Sequence, residues 1–385
     1  MTRTKLMIPG PVDISDTVRE AMAVPSMPHY GPAWIRLYDE VLAMAKQVFG
    51  TRHDLYILSG PGTMALEAAM SSALEPGDSV LIPINGFFGD RTLSVAEGCA
   101  LEPVVVQAAL GDPITPEMVA DALDAHPQVQ ALAIVHHETS TGVLNPLEGI
   151  AAAARARDVP VIVDAVSSLG GVPLPVDAWG IDFCVSVANK TLETPPALAL
   201  LSISPRGWEM IEARTARRGW YLDLRTWRWY AENWGDWHPS PVTMPTSNLY
   251  ALHHSLSALL EEGIERRYAA YAAAARAARQ GLRALGFPMF VESEQYASPL
   301  TTAFRMRADV AAADIAQHLL DDAGVMISGG IGELRGKILR VGHIGQARTR
   351  DYVVAFLLGM ENALRAAGVD VPVGQSLVAL EGLEN

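Results

Sequence analysis

Between residues 79 and 204 short apolar runs alternate with helical text, and this alternation restricts the fold more than any other feature of the sequence. Ser79–Ile84 is an apolar run behind a Pro-Gly-Asp turn, and Ala131–His136, Val159–Asp164, Asp182–Ala188 and Ala197–Ser204 are four more. A helix opened by Pro146 runs through the Ala-rich stretch Gly149–Arg157. Strands that are apolar throughout are covered on both faces, and strands alternating with helices give βαβ units. The expected class is therefore α/β with a largely parallel, buried sheet.

The flanks add to this frame. Pro9-Gly10-Pro11 makes a rigid, extended entry, and Trp34–Val48 carries apolar residues at helical spacing. The segment Trp208–Trp237 holds six of the eight tryptophans. It reads either as an aromatic ligand or subunit interface or as a loop packed down through its rings. One long helix is expected from Leu249 to about Leu285. From Phe287 the text is strand, helix, strand and a final helix near Asp351–Ala366, the pattern of a smaller C-terminal α+β domain. The tail from Val371 carries no legible chemistry.

With 385 residues, the chain is long enough for one large α/β domain and an appendage. Its 43 acidic and 29 basic residues give a net charge of −14, which argues against a nucleic-acid partner. Cys99 and Cys184 are too few for a disulfide scaffold or a zinc cage. The N-terminus lacks the apolar stretch of a signal peptide, and no apolar run approaches the length of a spanning helix. A cytoplasmic setting is expected, with no membrane and no metal. His136-His137-Glu138 is a poor metal motif, since adjacent strand residues face opposite ways.

Three features bear on chemistry. Ser59-Gly60-Pro61-Gly62-Thr63 leads straight into a helix, so its backbone N–H groups suit an anionic phosphate; a plain tight turn is the other reading. Asp164 ends an apolar strand at the crevice edge where open α/β sheets bind ligands, or else it caps a turn. Lys190 follows another such strand, where burial would make it an amine nucleophile, unless it extends to solvent. Pyridoxal 5'-phosphate needs a phosphate cup, an acid for its ring nitrogen and a lysine, and the chain supplies them in that order. Phe87-Phe88, after the strand Ser79–Ile84, offer a ring to stack on it.

These residues sit in a wider pattern. Pro9-Gly10-Pro11, the turn at Ser59–Thr63 with the helix after it, Asn85-Gly86-Phe87-Phe88-Gly89-Asp90-Arg91 and His137-Glu138-Thr139-Ser140-Thr141-Gly142 come first. Val163–Gly171, Asn189-Lys190 with Pro195-Pro196, and Gly329-Gly330 leading to Gly336–Gly345 continue it. In this order the chain resembles the class V, fold type I aminotransferases of the alanine–glyoxylate and serine–glyoxylate kind, from residue 9 to 345.

The resemblance implies a large domain with a mostly parallel sheet of the seven-stranded type and a smaller C-terminal domain. The corresponding division is an arm at 1–20, a cofactor domain at 21–255 and a small domain at 256–385. Lys190 would form the Schiff base, Asp164 would pair with the ring nitrogen, and Phe88 would stack where relatives often have Trp. Gly62 and Thr63 would form the phosphate cup, Thr63 standing where relatives often have His. Thr139 would lie beside the ring oxygen and Asn189 beside the lysine. Thr243 would reach the phosphate from the partner subunit of a homodimer with shared sites. Arg340 would grip the substrate carboxylate, with Gly10 and Tyr30 on the substrate side.

There are departures. Trp237-His238-Pro239-Ser240-Pro241-Val242-Thr243 lacks a tyrosine that relatives often carry, and Tyr30 follows His29 where many relatives have Arg. The activity implied is transfer of an amino group from an alanine- or serine-like donor to glyoxylate or pyruvate. A pyridoxamine–pyruvate or a 2-aminoethylphosphonate–pyruvate transaminase is the alternative, the latter needing added cations such as Arg225 or Arg228. A cysteine desulfurase would need a mobile cysteine in the second half, and neither cysteine stands there.

Overall fold

The computed structural model describes residues 4–215, 219–378, 380 and 383. Seven strands form the main sheet: β1 Asp54–Ser59, β2 Ser79–Ile84, β3 Glu102–Gln107, β4 Val129–Val135, β5 Val161–Asp164, β6 Phe183–Val187 and β7 Leu198–Ile203. Their spatial order is β1-β7-β6-β5-β4-β2-β3, and β7 alone runs against its neighbours. β2, β6 and β7 are buried at every residue, as their unbroken apolar text requires. β3, at an edge, is partly exposed and carries Pro103, whose missing N–H an edge tolerates.

Two apolar cores cover the two faces of this sheet. One is built with the helices Pro32–Phe49, Pro116–Ala125, Leu147–Arg155 and Thr246–Glu262. The other uses Gly62–Ala73, Pro205–Glu212 and Leu224–Asn233. The structure thus adds β1 and β3 to the five strands legible in the text. The single helix expected from Leu249 to Leu285 is instead two, Thr246–Glu262 and Ile264–Ala284. They break at Gly263, whose φ of +87° no α-helix accommodates.

A second sheet, antiparallel, orders Thr301–Arg305, Ile338–Gly342 and Ser328–Gly329 side by side. Helices Ile264–Ala284, Ala312–Ala323 and Arg350–Ala366 complete its core. The N-terminus joins this unit: Lys5–Leu6 pairs in parallel with Val325–Met326, and Met7 is fully buried there. Among the described residues no helix is long and apolar enough to cross a membrane.

The tryptophan-rich segment divides between its two readings; its residues 216–218 lie outside those described. Trp208 and Trp227 are buried, their indole N–H groups donating to Asp54 and to the Tyr221 carbonyl, both at 2.8 Å. Trp220, Trp229, Trp234 and Trp237 are exposed.

Candidate active site

The ends of β4, β5 and β6 open onto a cavity of about 470 Å³, and six of the anticipated residues line it: Gly62, Thr63, Phe88, Asp164, Asn189 and Lys190. The parallel register brings Asp164, the last residue of β5, opposite Val135 of β4 and Val185 of β6. Lys190 follows β6 by a short turn, so both chemical groups arrive at the same edge of the sheet.

Lys190 is held from two sides. Its Nζ donates to the Pro9 carbonyl at 2.8 Å, and a Cβ built on Gly10 would lie 2.4 Å from that nitrogen, so only glycine leaves the lysine in place. Behind it the backbone is pinned: Glu193 N–H donates to the Lys190 carbonyl at 2.9 Å, and Arg267 donates to that of Thr191 at 2.9 Å. Burial, with Arg340 and Arg91 nearby, lowers the lysine pKa to about 8, against the opposing pull of Asp164.

Asp164 accepts from the Val166 N–H at 2.9 Å, and among the described residues no cation lies within salt-bridge distance of it. Burial raises its pKa, only partly offset by that N–H, Lys190 and Arg91. Also lining the cavity is the start of the helix Gly62–Ala73, preceded by Pro61, which offers no side-chain cap; the Met64 N–H donates to the Pro61 carbonyl at 3.1 Å, which leaves the N–H groups of Gly62 and Thr63 for a ligand. A Cβ on Gly62 would come within 2.5 Å of Val166 and 2.9 Å of Val187. The turn therefore packs tightly on the strand ends that carry Asp164 and Lys190.

Phe88 opens the helix Phe87–Gly98, and buried Glu138 caps that helix, accepting from the N–H groups of Phe88 at 2.9 Å and Gly89 at 3.1 Å. Arg91, which the sequence reading passed over, also lines the cavity, its guanidinium 5.0 Å from the rings of both phenylalanines. Arg340, only 5% exposed, donates to the carbonyls of Thr139 at 2.8 Å and Gly329 at 3.0 Å. Burial lowers its pKa to about 10 against the attraction of Glu138, and among the described residues no carboxylate forms a salt bridge with it.

The remaining anticipated residues lie elsewhere. Thr139 is buried and meets Arg340 through its carbonyl. Thr243 and Tyr30 are exposed and outside the cavity of their own chain, Tyr30 packing 5.5 Å from the Trp237 ring. His137, quoted as part of a motif but given no role, is in the cavity wall. The signal was available: strand alternation turns one member of the His136-His137 pair toward the strand-end crevice.

The side chains named for other chemistries lie outside this cavity. Arg228 is paired with Glu212 and Glu232 at 2.5 and 2.9 Å, and Arg225 with Asp223 at 3.0 Å. Both line a separate surface hollow of about 510 Å³. Cys99 and Cys184 are buried, and Cys184 sits within β6 with its thiol pKa pushed up by burial. The described residues include no group of three or more side chains able to hold a metal ion.

A buried amine, a carboxylate lacking a cation, an open helix N-terminus and a flat ring in one cavity suit pyridoxal 5'-phosphate, which presents an aldehyde, a basic ring nitrogen, a phosphate and an aromatic face. The fold and this site define a fold type I enzyme dependent on that cofactor. The chain belongs to the family described as aminotransferase class-V, whose model matches residues 17–335. It is 34% identical to the alanine–glyoxylate aminotransferase of Callithrix jacchus, over 94% of this chain and 88% of that one. It is 32% identical to the pyridoxamine–pyruvate transaminase of Mesorhizobium japonicum, over 96% and 94%. The crystal structure of ureidoglycine–glyoxylate aminotransferase from Bacillus subtilis superposes with a TM-score of 0.93 at 29% identity, covering 99% of this chain and 97% of that one.

Proposed function

We propose that the enzyme transfers the amino group of a small, alanine- or serine-like amino acid to glyoxylate or pyruvate. The observation that carries this reading is Arg340, a buried guanidinium outside the cavity lining that donates to two carbonyls and, among the described residues, pairs with no carboxylate, close enough to Lys190 to lower its pKa. A substrate carboxylate supplies the missing anion beside the amine. The pocket in this chain is small, and the names of the related enzymes include glyoxylate and pyruvate as acceptors.

In this reading Gly62 and Thr63 hold the cofactor phosphate, Phe88 covers the ring, Asn189 flanks it, and Asp164 meets the protonated ring nitrogen. A cationic ring nitrogen there would oppose the burial that raises the Asp164 pKa. The bound cofactor supplies an electron sink for the substrate carbanion. Lys190 would hold the cofactor's aldehyde carbon and, as a free amine, would move the substrate Cα proton; a pKa near 8 leaves part of it as free amine at neutrality. Gly10 keeps the lysine's path clear, and Arg340 orients donor and acceptor alike.

The test is a half-reaction screen. Protein loaded with pyridoxal 5'-phosphate is mixed with alanine, serine, pyridoxamine or 2-aminoethylphosphonate, and the loss of visible absorbance is followed. Bleaching by alanine or serine, reversed by glyoxylate or pyruvate, is the expected result. Bleaching by pyridoxamine alone would move the assignment to the pyridoxamine–pyruvate reading, which the Mesorhizobium relative supports. No bleaching by any small amine would overturn both.

We further infer a cytoplasmic homodimer with shared sites. The exposed rings of Tyr30, Trp237, Trp234 and Trp229 form a connected cluster with centroid spacings of 5.5, 5.4 and 6.2 Å, and Thr243 is exposed. A second copy seated there would cover the rings and let Tyr30 and Thr243 serve its cavity. Recovery of activity on mixing inactive Lys190→Ala and Thr243→Ala proteins is expected; a monomer by sedimentation would exclude it.

A further inference from the structure

His137 has an unused nitrogen. It follows Val135 by two residues, and both line the cavity. His136 turns the other way, its ring against Trp179 and its Nδ1 3.1 Å from the Ser168 hydroxyl. The His137 ring is only 3% exposed, and its Nδ1 lies 3.1 Å from the Ser167 carbonyl oxygen. A carbonyl can only accept, so Nδ1 bears the ring proton and Nε2 is a bare lone pair. That Nε2 is buried, and among the described residues it has no hydrogen-bond partner. Burial, aided by Lys190, pushes the histidine pKa down to about 4 against the pull of the Ser167 carbonyl, so the ring is neutral at working pH. A buried acceptor without a donor destabilises the fold, and native sites normally supply the partner.

Among the described residues no donor reaches it, although Thr63, Ser167 and Asn189 also line the cavity, and the cationic donors are turned elsewhere. Lys190 donates to Pro9, Arg340 to Thr139 and Gly329, and the Arg91 guanidinium lies over the two phenylalanine rings. The donor must come with the occupant. On a pyridoxal ring the aldehyde belongs to Lys190, the phosphate to the glycine turn and the protonated nitrogen to Asp164, while the methyl group carries no polar hydrogen. One proton donor is left on the ring, the phenolic hydroxyl.

We propose that Nε2 of His137 accepts a hydrogen bond from the phenolic hydroxyl of the bound cofactor and so fixes the angle at which the ring sits over the strand ends. The proposal rests on the cofactor reading above. It makes His137 a cofactor-binding residue beside the resemblance-derived Thr139, which is absent from the cavity lining.

Deoxypyridoxine 5'-phosphate lacks the aldehyde and cannot bond Lys190, so it reports non-covalent fit alone. Its affinity is compared with that of the analogue in which hydrogen replaces the phenolic hydroxyl, by calorimetry on wild-type, His137→Leu and His137→Gln proteins. Wild type should favour the hydroxylated probe by about tenfold or more. The preference should fall to within about twofold in His137→Leu and largely persist in His137→Gln, which retains an acceptor. An undiminished preference in His137→Leu overturns the proposal. Equal binding of both probes by wild type overturns it without any variant. If wild type binds neither, the cofactor reading itself fails, a different result from the failure of His137.

Discussion

Two groups of buried charge meet at the segment 190–193 and are built on opposite plans. In the first, Glu193 and Glu262 face Arg267 and Arg348. Arg267 pairs with Glu193 and, at 2.9 Å, with Glu262; Arg348 reaches Glu262 at 2.8 Å, and the Tyr271 hydroxyl donates to Glu193 at 3.1 Å. Burial depresses the Arg267 pKa, but Glu193, Tyr271 and Glu262 outweigh it and hold the value above that of a free arginine. In the second, the half-buried Asp164 and Lys190 and the buried Arg340 carry no ion pairs among the described residues, and desolvation weakens the charge of each. The closed group pairs its opposite charges internally and holds the lysine loop, with Glu193 kept at a φ of +52° that its side chain would otherwise avoid. In the function proposed above, a cationic ring nitrogen and a substrate carboxylate would complete the open group.

This contrast can be broken at four points. Lys190→Ala should cost about 10⁴-fold or more in turnover and prevent borohydride from fixing the cofactor to the protein; comparable activity in the variant would remove Lys190 from the chemistry. Arg267→Met leaves Glu193 buried without its cation and should cost about 3–5 kcal/mol in urea unfolding. The Glu193→Met, Arg267→Met double variant should recover most of that, because Glu262 and Arg348 still pair; equal loss in single and double variants would show that the network is not closed. Arg340→Ala should raise the donor KM about a hundredfold, from a lost charged hydrogen-bond pair of about 3 kcal/mol, while unfolding changes less than for Arg267→Met. An unchanged KM would place Arg340 in the closed class.

The smallest effect is a pH dependence. The folded Lys190 pKa is about 8, below its ordinary 10.5, so between those values the unfolded chain binds more protons and stability rises with pH. Below about 8 both states are protonated, and the full penalty of the buried ammonium remains. Relative to Lys190→Met, wild type should gain up to about 1.4 kcal/mol per pH unit across that window. A pH-independent difference would mean that the lysine is not held in the open, charge-poor environment described.

Most of the open group was legible in the sequence because its placement follows from one-dimensional rules. An apolar run ending in Asp164, another leading to Lys190 and a glycine turn before a helix must converge once the strands are parallel. The closed group was invisible, since Arg267 and Glu193 are 74 positions apart and nothing in either local pattern selects the other. β1 and β3 escaped notice for smaller reasons: Asp54–Ser59 follows a helix closely and runs straight into the glycine turn, and Glu102–Gln107 carries a proline and polar ends. The break at Gly263 was overridden by the helix-forming text on both sides, although a glycine between long helical stretches is a stop signal. The orientations of Thr243 and Tyr30 depend on surfaces outside the chain's own core, and local pattern is silent there.

The pairing of Lys5–Leu6 with Val325–Met326 has a consequence for biosynthesis. The first ordered strand of the polypeptide finds its partner only after some 320 further residues have been translated, and the next few residues supply the carbonyl that receives the Lys190 ammonium. The nascent chain can assemble its main sheet on the ribosome, yet the pocket acquires its last wall only when the C-terminal region has emerged and captured the N-terminus. Loop closure over such a separation is slow. A bulky fusion at the N-terminus would burden this final docking, whereas one placed after the last helix would leave it untouched.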